Sequence, residues 1–263
     1  MTFVPRRLAP LLWLAAFGPA LALASGCVGE AEHLEAKGNV LLRQGSVAGA
    51  LTLFRAAAAQ APTKEESSLR LGNALFRAQR FAEAEAAYGR ARVLAKDACT
   101  AERPLAQLLA QQGRLDAAES TLFSCLTRKP DDLDARLALG LIRLDRGDLA
   151  SAGAAFDAVL KRSPRHPAAL YARARLALHK GQLAEADELF VRLEKAQPRK
   201  PYGSYGRGVV ATRRRAFEQA CTHLRRAQSH GLSRHVWEHL RSDRQLANAA
   251  SLPCLSVTAG EPG

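Results

Sequence analysis

The sequence predicts an all-α protein in which a pair of helices repeats at one constant interval along the chain. The first observation is an alanine that recurs six times at this interval without insertion or deletion, at Ala50, Ala84, Ala118, Ala152, Ala186 and Ala220. The second is a small residue twelve positions before each alanine: Gly38, Gly72, Ala106, Gly140, Ala174 and Gly208. The third is a bulky residue four positions after it: Phe54, Tyr88, Leu122, Phe156, Phe190 and Leu224. Three sets of residues, which we call columns, thus recur with the same period and at fixed offsets from one another. Such agreement excludes a chance match.

Glycine and proline divide each repeat into two helices. Four repeats carry a glycine in the middle, at Gly45, Gly113, Gly147 and Gly181. Four carry a proline near the end, at Pro62, Pro130, Pro164 and Pro198. Because glycine adopts positive φ at no steric cost, it closes the first helix and begins the turn. We therefore expect two antiparallel helices of about 13 residues per repeat, joined by a short turn.

Close packing of helices explains the other columns. Small residues let two helix axes approach to roughly 8–10 Å, and the bulky residue one turn after the alanine fills the groove beside that contact. One helix pair cannot bury both of its apolar faces. The units must therefore stack, and the core becomes a continuous strip.

The columns resemble the tetratricopeptide repeat. Leu71-Gly72 and Leu139-Gly140 reproduce the central Leu-Gly pair of that motif, and an alanine stands at the twenty-seventh position at Ala57, Ala91 and Ala227. The resemblance implies a right-handed α-solenoid of six units with a groove along the first helices. The expected units are 31–64, 65–98, 99–132, 133–166, 167–200 and 201–234.

Two segments depart from the regular repeat. Pro104 lies in the first turns of the third unit, and we expect it to shorten that helix at its start. Beyond the last unit, Val236, Trp237 and Leu240 begin an amphipathic stretch. We expect residues 235–249 to form a helix that caps the array and residues 250–263 to form a tail.

The N-terminus has the composition of an export signal. No acidic residue precedes Glu30, and Arg6 and Arg7 come before an uncharged stretch rich in Leu and Ala. This pattern predicts a secretory signal peptide over residues 1–26. A membrane-spanning helix is the alternative, which Gly18-Pro19 and the small residues at the end of the stretch disfavour.

Two cleavage sites compete in this signal. Ala22-Leu23-Ala24 suits the ordinary signal peptidase and would leave a soluble periplasmic protein. Ala24-Ser25-Gly26-Cys27, preceded by Leu23, resembles a bacterial lipobox. That resemblance implies acylation of Cys27 and a short tether over 27–30. Because Val28 rather than Asp follows the cysteine, it also implies anchoring in an outer membrane.

The net charge of +13 is unevenly distributed. Residues 133–263 hold 22 basic and 12 acidic side chains, against 14 and 13 in residues 27–132. Since an exported chain rarely meets nucleic acid, the excess favours an acidic protein, anionic headgroups or a cell-wall polymer as partner. The alternative is an arginine-rich composition on solvated faces.

The family resemblance implies that the first helix of each unit lines a partner-binding groove. In the fifth and sixth units we assign groove binding to Tyr171, Arg175, His179, Tyr202, Tyr205 and Arg213. Three of the four tyrosines of the chain fall here, and Tyr and Arg dominate binding hot spots. Packing of Tyr171 and Tyr205 between repeats, and Arg213 as a cation at a helix C-terminus, are the alternatives.

No residue pattern predicts catalysis, a metal or a cofactor. The clamp with which some family members hold a C-terminal carboxylate is absent, because its positions carry Glu35, Asn39, Arg70, Thr100 and Pro104. The stretch from His235 to His239 matches a zinc-peptidase motif, but Arg234 and Arg241 flank it. We therefore expect a non-enzymatic protein.

If Cys27 is acylated, four cysteines remain in an oxidising compartment: Cys99, Cys125, Cys221 and Cys254. The sequence alone permits three pairings. Antiparallel helices place the start of a unit beside its end, which favours Cys99 with Cys125 and Cys221 with Cys254. Four buried free thiols are the alternative.

These patterns together predict a non-catalytic scaffold that holds a partner segment at the bacterial cell envelope. The architecture resembles the pilotin lipoproteins that help secretins assemble in type IV pilus systems, and also lipoprotein adaptors for peptidoglycan hydrolases. A binder of anionic envelope polymer through the basic half is the alternative.

Overall fold

Twelve helices form most of the chain that the computed structural model describes, which is residues 18–95 and 99–232. Within these ranges, side chains are described from residue 29 onward. The helices are α1 (Gly18–Arg43), α2 (Val47–Gln60), α3 (Glu65–Arg77), α4 (Phe81–Leu94), α5 (Glu102–Gln111), α6 (Leu115–Arg128), α7 (Leu133–Asp145), α8 (Leu149–Arg162), α9 (Pro167–His179), α10 (Leu183–Ala196), α11 (Tyr202–Arg213) and α12 (Phe217–Ser229). These ranges contain no strand, and the all-α helical repeat predicted from the sequence is confirmed.

The constant period of the sequence columns sets the helix boundaries. The second helix of each pair begins at residue 47, 81, 115, 149, 183 or 217, an unbroken interval of 34. In the pairs α1/α2, α3/α4, α7/α8, α9/α10 and α11/α12, the two helices pack against each other. The helices therefore repeat along the chain with the same period as the residue columns in the sequence.

The turns inside the pairs require a left-handed backbone. Gly45, Gly113, Gly147 and Gly181 have φ of 80°, 76°, 87° and 73°, as predicted. In the other two pairs the same turn position holds Gln79 and Arg215, both with φ of 58°. A side chain in this conformation costs about 1–2 kcal/mol because its Cβ approaches the carbonyl oxygen. These two turns are thus less favourable than the four glycine turns.

The small and bulky columns contact each other within a pair. A Cβ added to Gly72 would lie 2.6 Å from the ring of Tyr88, and one added to Gly140 would lie 2.6 Å from the ring of Phe156. Both rings are essentially buried, at 1% and 0% exposure. The glycine is therefore required because the ring occupies the place of its side chain, which is the packing role predicted for both columns.

The described part of the chain forms two compact units, one that ends at Gln112 and one that begins at Gly113. In the second unit, one hydrophobic core runs from Leu137 in α7 to Leu224 in α12. In the first unit, Ala31 of α1 packs with Ala57 and Ala61 at the end of α2. The core of the second unit has the continuous form that stacking of repeats requires.

Two helices differ in length from the rest. Helix α1 has 26 residues and includes 27–30, so the segment predicted as a short tether is helical in the structure. Helix α5 has only ten residues, and Pro104 lies in its first turn. Because the N–H groups of a first turn have no partner within the helix, proline is tolerated there. The period of 34 would place the start of this helix at residue 99, but it begins at Glu102, so the helix is shorter at its start, as expected. The contribution of Pro104 to this shortening stays a prediction.

Several predictions concern residues outside the described ranges. They are the signal peptide up to residue 17, the side chain of Cys27, the cap at 235–249 with its His-x-x-Glu-His stretch, and the tail with Cys254. Across the described helices, none combines the length and apolar character needed to cross a membrane.

Candidate protein-binding groove

Tyr171 lies at the centre of an aromatic cluster in the second compact unit. Its ring contacts Phe190 of α10 edge-on at 6.3 Å and Tyr202 of α11 at 6.0 Å between ring centroids. The guanidinium of Arg175, one helical turn further along α9, lies 5.9 Å from the centroid of the Tyr171 ring. Three successive helices thus contribute to one cluster, which combines aromatic and cation–π contacts.

The start of α9 fixes the position of Tyr171. Pro167 occupies the first turn, and the Nδ1 atom of His166 accepts a hydrogen bond from the backbone N–H of Ala169 at 3.3 Å. Proline and an N-cap acceptor both favour helix initiation at this point. Tyr171 therefore extends from the second turn of a well-defined helix.

The cluster is partly open to solvent. Tyr202 is 50% exposed although its ring contacts the ring of Tyr171. Arg175 is exposed as well, whereas Tyr171 is half-buried. An exposed tyrosine and an exposed guanidinium that both contact the Tyr171 ring offer apolar area and directed hydrogen bonds to a partner. Tyr171, Arg175, Tyr202 and Tyr205 are four of the residues predicted to line a partner-binding groove, and we call these four the aromatic groove.

Tyr205 lies deeper than Tyr202. It is half-buried and packs against the hydrophobic core of its unit. The neighbouring Gly206 lets α11 approach α10, because a Cβ at this position would lie 2.2 Å from the ring of Phe190. Tyr205 therefore packs against the hydrophobic core and also lies on α11, the helix that carries Tyr202.

Arg213 and His179 lie at the ends of their helices. The Nη1 atom of Arg213 donates to the carbonyl oxygen of Leu178 at 2.7 Å, in the last turn of α9. His179 is the last residue of α9 and is exposed. Arg213 thus places a cation at the C-terminus of α9. Its assignment to groove binding stays a prediction.

A buried glutamate links helix α10 to helix α11, which carries Tyr202 and Tyr205. Glu194 of α10 is 9% exposed and accepts hydrogen bonds from Ser204 Oγ at 2.8 Å and Arg207 Nη1 at 3.2 Å. Burial opposes ionisation, but Ser204, Arg207 and Arg226 outweigh it and lower the pKa of Glu194. These contacts join α10 to α11 next to Tyr205. Glu194 could not be recognised from the sequence, because an exposed and a buried glutamate look alike in a helical stretch.

Cys99, Cys125 and Cys221 are each disulfide-bonded in the structure. Cys99 and Cys125 are almost completely buried, at 1% and 0% exposure. Cys254 lies outside the described residues. The pairing of the four cysteines therefore stays a prediction.

The tetratricopeptide repeat family matches residues 14–65, 105–167, 137–190 and 171–232, and a second group of the same repeat matches residues 41–99. The matches cover more than half of the chain. They include the helices α9, α10 and α11, so the aromatic groove lies on a tetratricopeptide framework. The chain belongs to the tetratricopeptide repeat family.

Solved structures share this fold at low sequence identity. PilF of Pseudomonas aeruginosa is 15% identical, with a TM-score of 0.62 over 86% of this chain and 98% of PilF. PilW, a type IV pilus biogenesis factor, is 16% identical, with a TM-score of 0.61 over 84% of this chain and 98% of PilW. TTC0263 of Thermus thermophilus is 21% identical, with a TM-score of 0.57 over 64% of this chain and 92% of TTC0263. No curated protein matches the chain.

The fold and the family define the class of protein. Tetratricopeptide arrays hold protein or peptide partners on stacked helix pairs, and they are typically non-catalytic scaffolds. As a member of this family, the chain is a protein-interaction scaffold.

Proposed function

We propose that this protein is exported to the bacterial cell envelope, is anchored through acylated Cys27, and holds a segment of an envelope protein in its aromatic groove. The observation that carries the groove assignment is the 50% exposure of Tyr202 while its ring contacts Tyr171 at 6.0 Å. A solvent-exposed ring on a pre-ordered cluster loses little entropy when a partner covers it. Such residues are typical binding hot spots.

Two lines of support favour the envelope. The residues before Cys27 have the composition of a secretory signal, with a lipobox-like end. PilW, which has the same fold, is a type IV pilus biogenesis factor, and the match covers 98% of its length. On this basis we extend the proposal to a role in the assembly of an envelope complex.

Site-specific photo-crosslinking in cells tests the groove. A photoreactive residue at position 202 should capture a discrete envelope protein, and Tyr171→Ala in the same chain should abolish the product. Position 93 provides the control, because Val93 is 83% exposed but lies on α4 of the first compact unit. The same product from position 93, or its persistence in the Tyr171→Ala variant, would contradict the groove assignment.

The intact mass of the protein purified from membranes tests the anchor. The proposal expects a chain that begins at an acylated Cys27 and fractionates with the outer membrane. A mature chain that begins at Ser25 and carries an unmodified Cys27 would refute lipid anchoring. It would leave the groove proposal unaffected.

The charge distribution favours one second candidate, which is binding of an anionic envelope polymer. The chain from residue 133 onward has 22 basic and 12 acidic side chains. Polymer binding through these charges should weaken steeply as salt screens them, with a Debye length of about 8 Å at physiological ionic strength. Groove binding should depend more on Tyr171 and Tyr205 than on salt.

A further inference from the structure

A cavity of about 440 Å³ lies in the first compact unit, among helices α1 to α5. Three side-chain amides line it, those of Asn39, Asn73 and Gln107. They are spaced by the period of the repeat, so they take the same position on the first helices of three successive pairs. Arg70 and Arg77 also line this cavity, which we call the amide pocket.

Tyr88 fixes the orientation of the central amide. Its hydroxyl donates to Oδ1 of Asn73 at 2.8 Å. Tyr88 is 1% exposed, and burial raises its pKa to about 12, so the hydroxyl remains a protonated donor at neutral pH. With Oδ1 engaged in this way, the two N–H groups of the Asn73 amide are left to donate to a ligand.

The two arginines of the amide pocket differ in their partners. Arg70 pairs with buried Glu35 at 3.1 Å and with Glu66 at 2.6 Å. Ser67 also donates to Glu35, at 2.6 Å, so this buried carboxylate is already satisfied. Arg77 is exposed, and it makes no ion pair with a carboxylate in the part of the chain that the structure describes. Its charge is therefore available without breaking an existing pair.

We propose that the amide pocket binds a side-chain carboxylate of an extended acidic peptide segment. Arg77 supplies the charge, and the N–H groups of Asn73 supply directed hydrogen bonds to the carboxylate oxygens. Asn39 and Gln107 each carry a donor and an acceptor, which match the N–H and C=O groups of a peptide backbone on either side. The pocket lies in a different compact unit from the aromatic groove, and the proposal does not depend on the function assigned to that groove.

Fluorescence anisotropy with two synthetic probes tests the proposal on the full chain. One labelled peptide contains four Ser-Glu repeats, and the other contains four Ser-Gln repeats. The glutamate peptide should bind at least 10-fold more tightly, because each hydrogen bond to a charged group adds substantial affinity. Equal affinities would overturn the proposal, and so would absence of glutamate-peptide binding at about 1 mM.

Substitutions locate the binding. Arg77→Met should weaken the glutamate peptide about 10-fold or more, whereas Arg90→Met, at an exposed arginine of α4 outside the pocket, should not. Asn73→Asp keeps the shape of the side chain but replaces its donors with a like charge, and it should weaken the same peptide at least as much. Equal effects of Arg77→Met and Arg90→Met would overturn the proposal. Tyr171→Ala should leave this binding unchanged, which separates it from the aromatic groove.

Discussion

At the ninth position of the repeat, α1, α3 and α5 carry Asn39, Asn73 and Gln107, whereas α7, α9 and α11 carry Leu141, Arg175 and Val209. The packing positions do not change in this way. Gly72 faces the ring of Tyr88 in the first compact unit, and Gly140 faces the ring of Phe156 in the second. Close approach of two helices restricts the packing columns, because only a small residue fits beside a ring. The groove positions are free of that restriction, so one framework carries a polar pocket in one region and an aromatic groove in another.

The largest expected effect concerns the C-terminal region, where Cys221 is disulfide-bonded. If its partner is Cys254, Cys254→Ser should lower the free energy of unfolding by about 3–4 kcal/mol, because the bridge restricts the unfolded chain. Denaturant titration of the exported protein measures this loss. The same comparison under reducing conditions, where both chains lack the bridge, is the control and should show no difference. Peptide mapping without reduction that finds a free Cys254, or a link from Cys125 to Cys221, would show this pairing to be wrong.

The next effect tests the packing that both regions share. Gly72→Ala should lower the free energy of unfolding by about 2 kcal/mol, since its methyl group would overlap the ring of Tyr88. Gly89→Ala is the matched control, because Gly89 also lies inside a helix but a Cβ there meets nothing within 4 Å. The control should raise stability by roughly 0.5–1 kcal/mol through helix propensity. Equal changes in the free energy of unfolding for the two substitutions would contradict the packing role of glycine at this position of the repeat.

The aromatic groove gives an effect of similar size on binding. Tyr205→Ala should cost about 2 kcal/mol of affinity for the partner captured from position 202, if Tyr205 is a hot spot. Phe217→Ala is the control, because Phe217 is 37% exposed at the start of α12 and is not part of the groove. Isothermal titration calorimetry measures both values. Full affinity after combined Tyr171→Ala and Tyr205→Ala, in a protein still helical by circular dichroism, would contradict the assignment.

The smallest effect should be the same in both regions. Gln79→Gly and Arg215→Gly should each raise the free energy of unfolding by about 1 kcal/mol, because both residues have φ of 58° in their turns. Thermal unfolding of the single variants measures the gain. Gly147→Ala should lower stability, since Gly147 has φ of 87°. A loss of stability in Gln79→Gly would mean that its side chain contributes more than the turn conformation costs.

The sequence by itself determined the repeat, the helix pairs, the turn positions and the packing columns. Each of these depends on contacts between residues close in the chain, such as Gly140 with Phe156, and the same requirement recurs in every repeat. When the same local contact is needed in every repeat, the residues that make it recur at a fixed interval in the sequence. That interval can be recognised without coordinates. The amides of Asn39, Asn73 and Gln107 share this period, so the sequence also carried a signal for the amide pocket.

Only the tertiary structure decided how single side chains are used. The sequence assigned groove binding to Arg213, and only the structure shows that Arg213 also donates a hydrogen bond to Leu178 in the preceding pair of helices. In the same way, burial of Glu194 and the hydrogen bond from Tyr88 to Asn73 depend on helix contacts that occur once in the chain. The physical reason is that hydrogen bonding and desolvation depend on distances between atoms of neighbouring helices. A contact that occurs once leaves no period in the sequence, so it becomes visible only after the helices have packed.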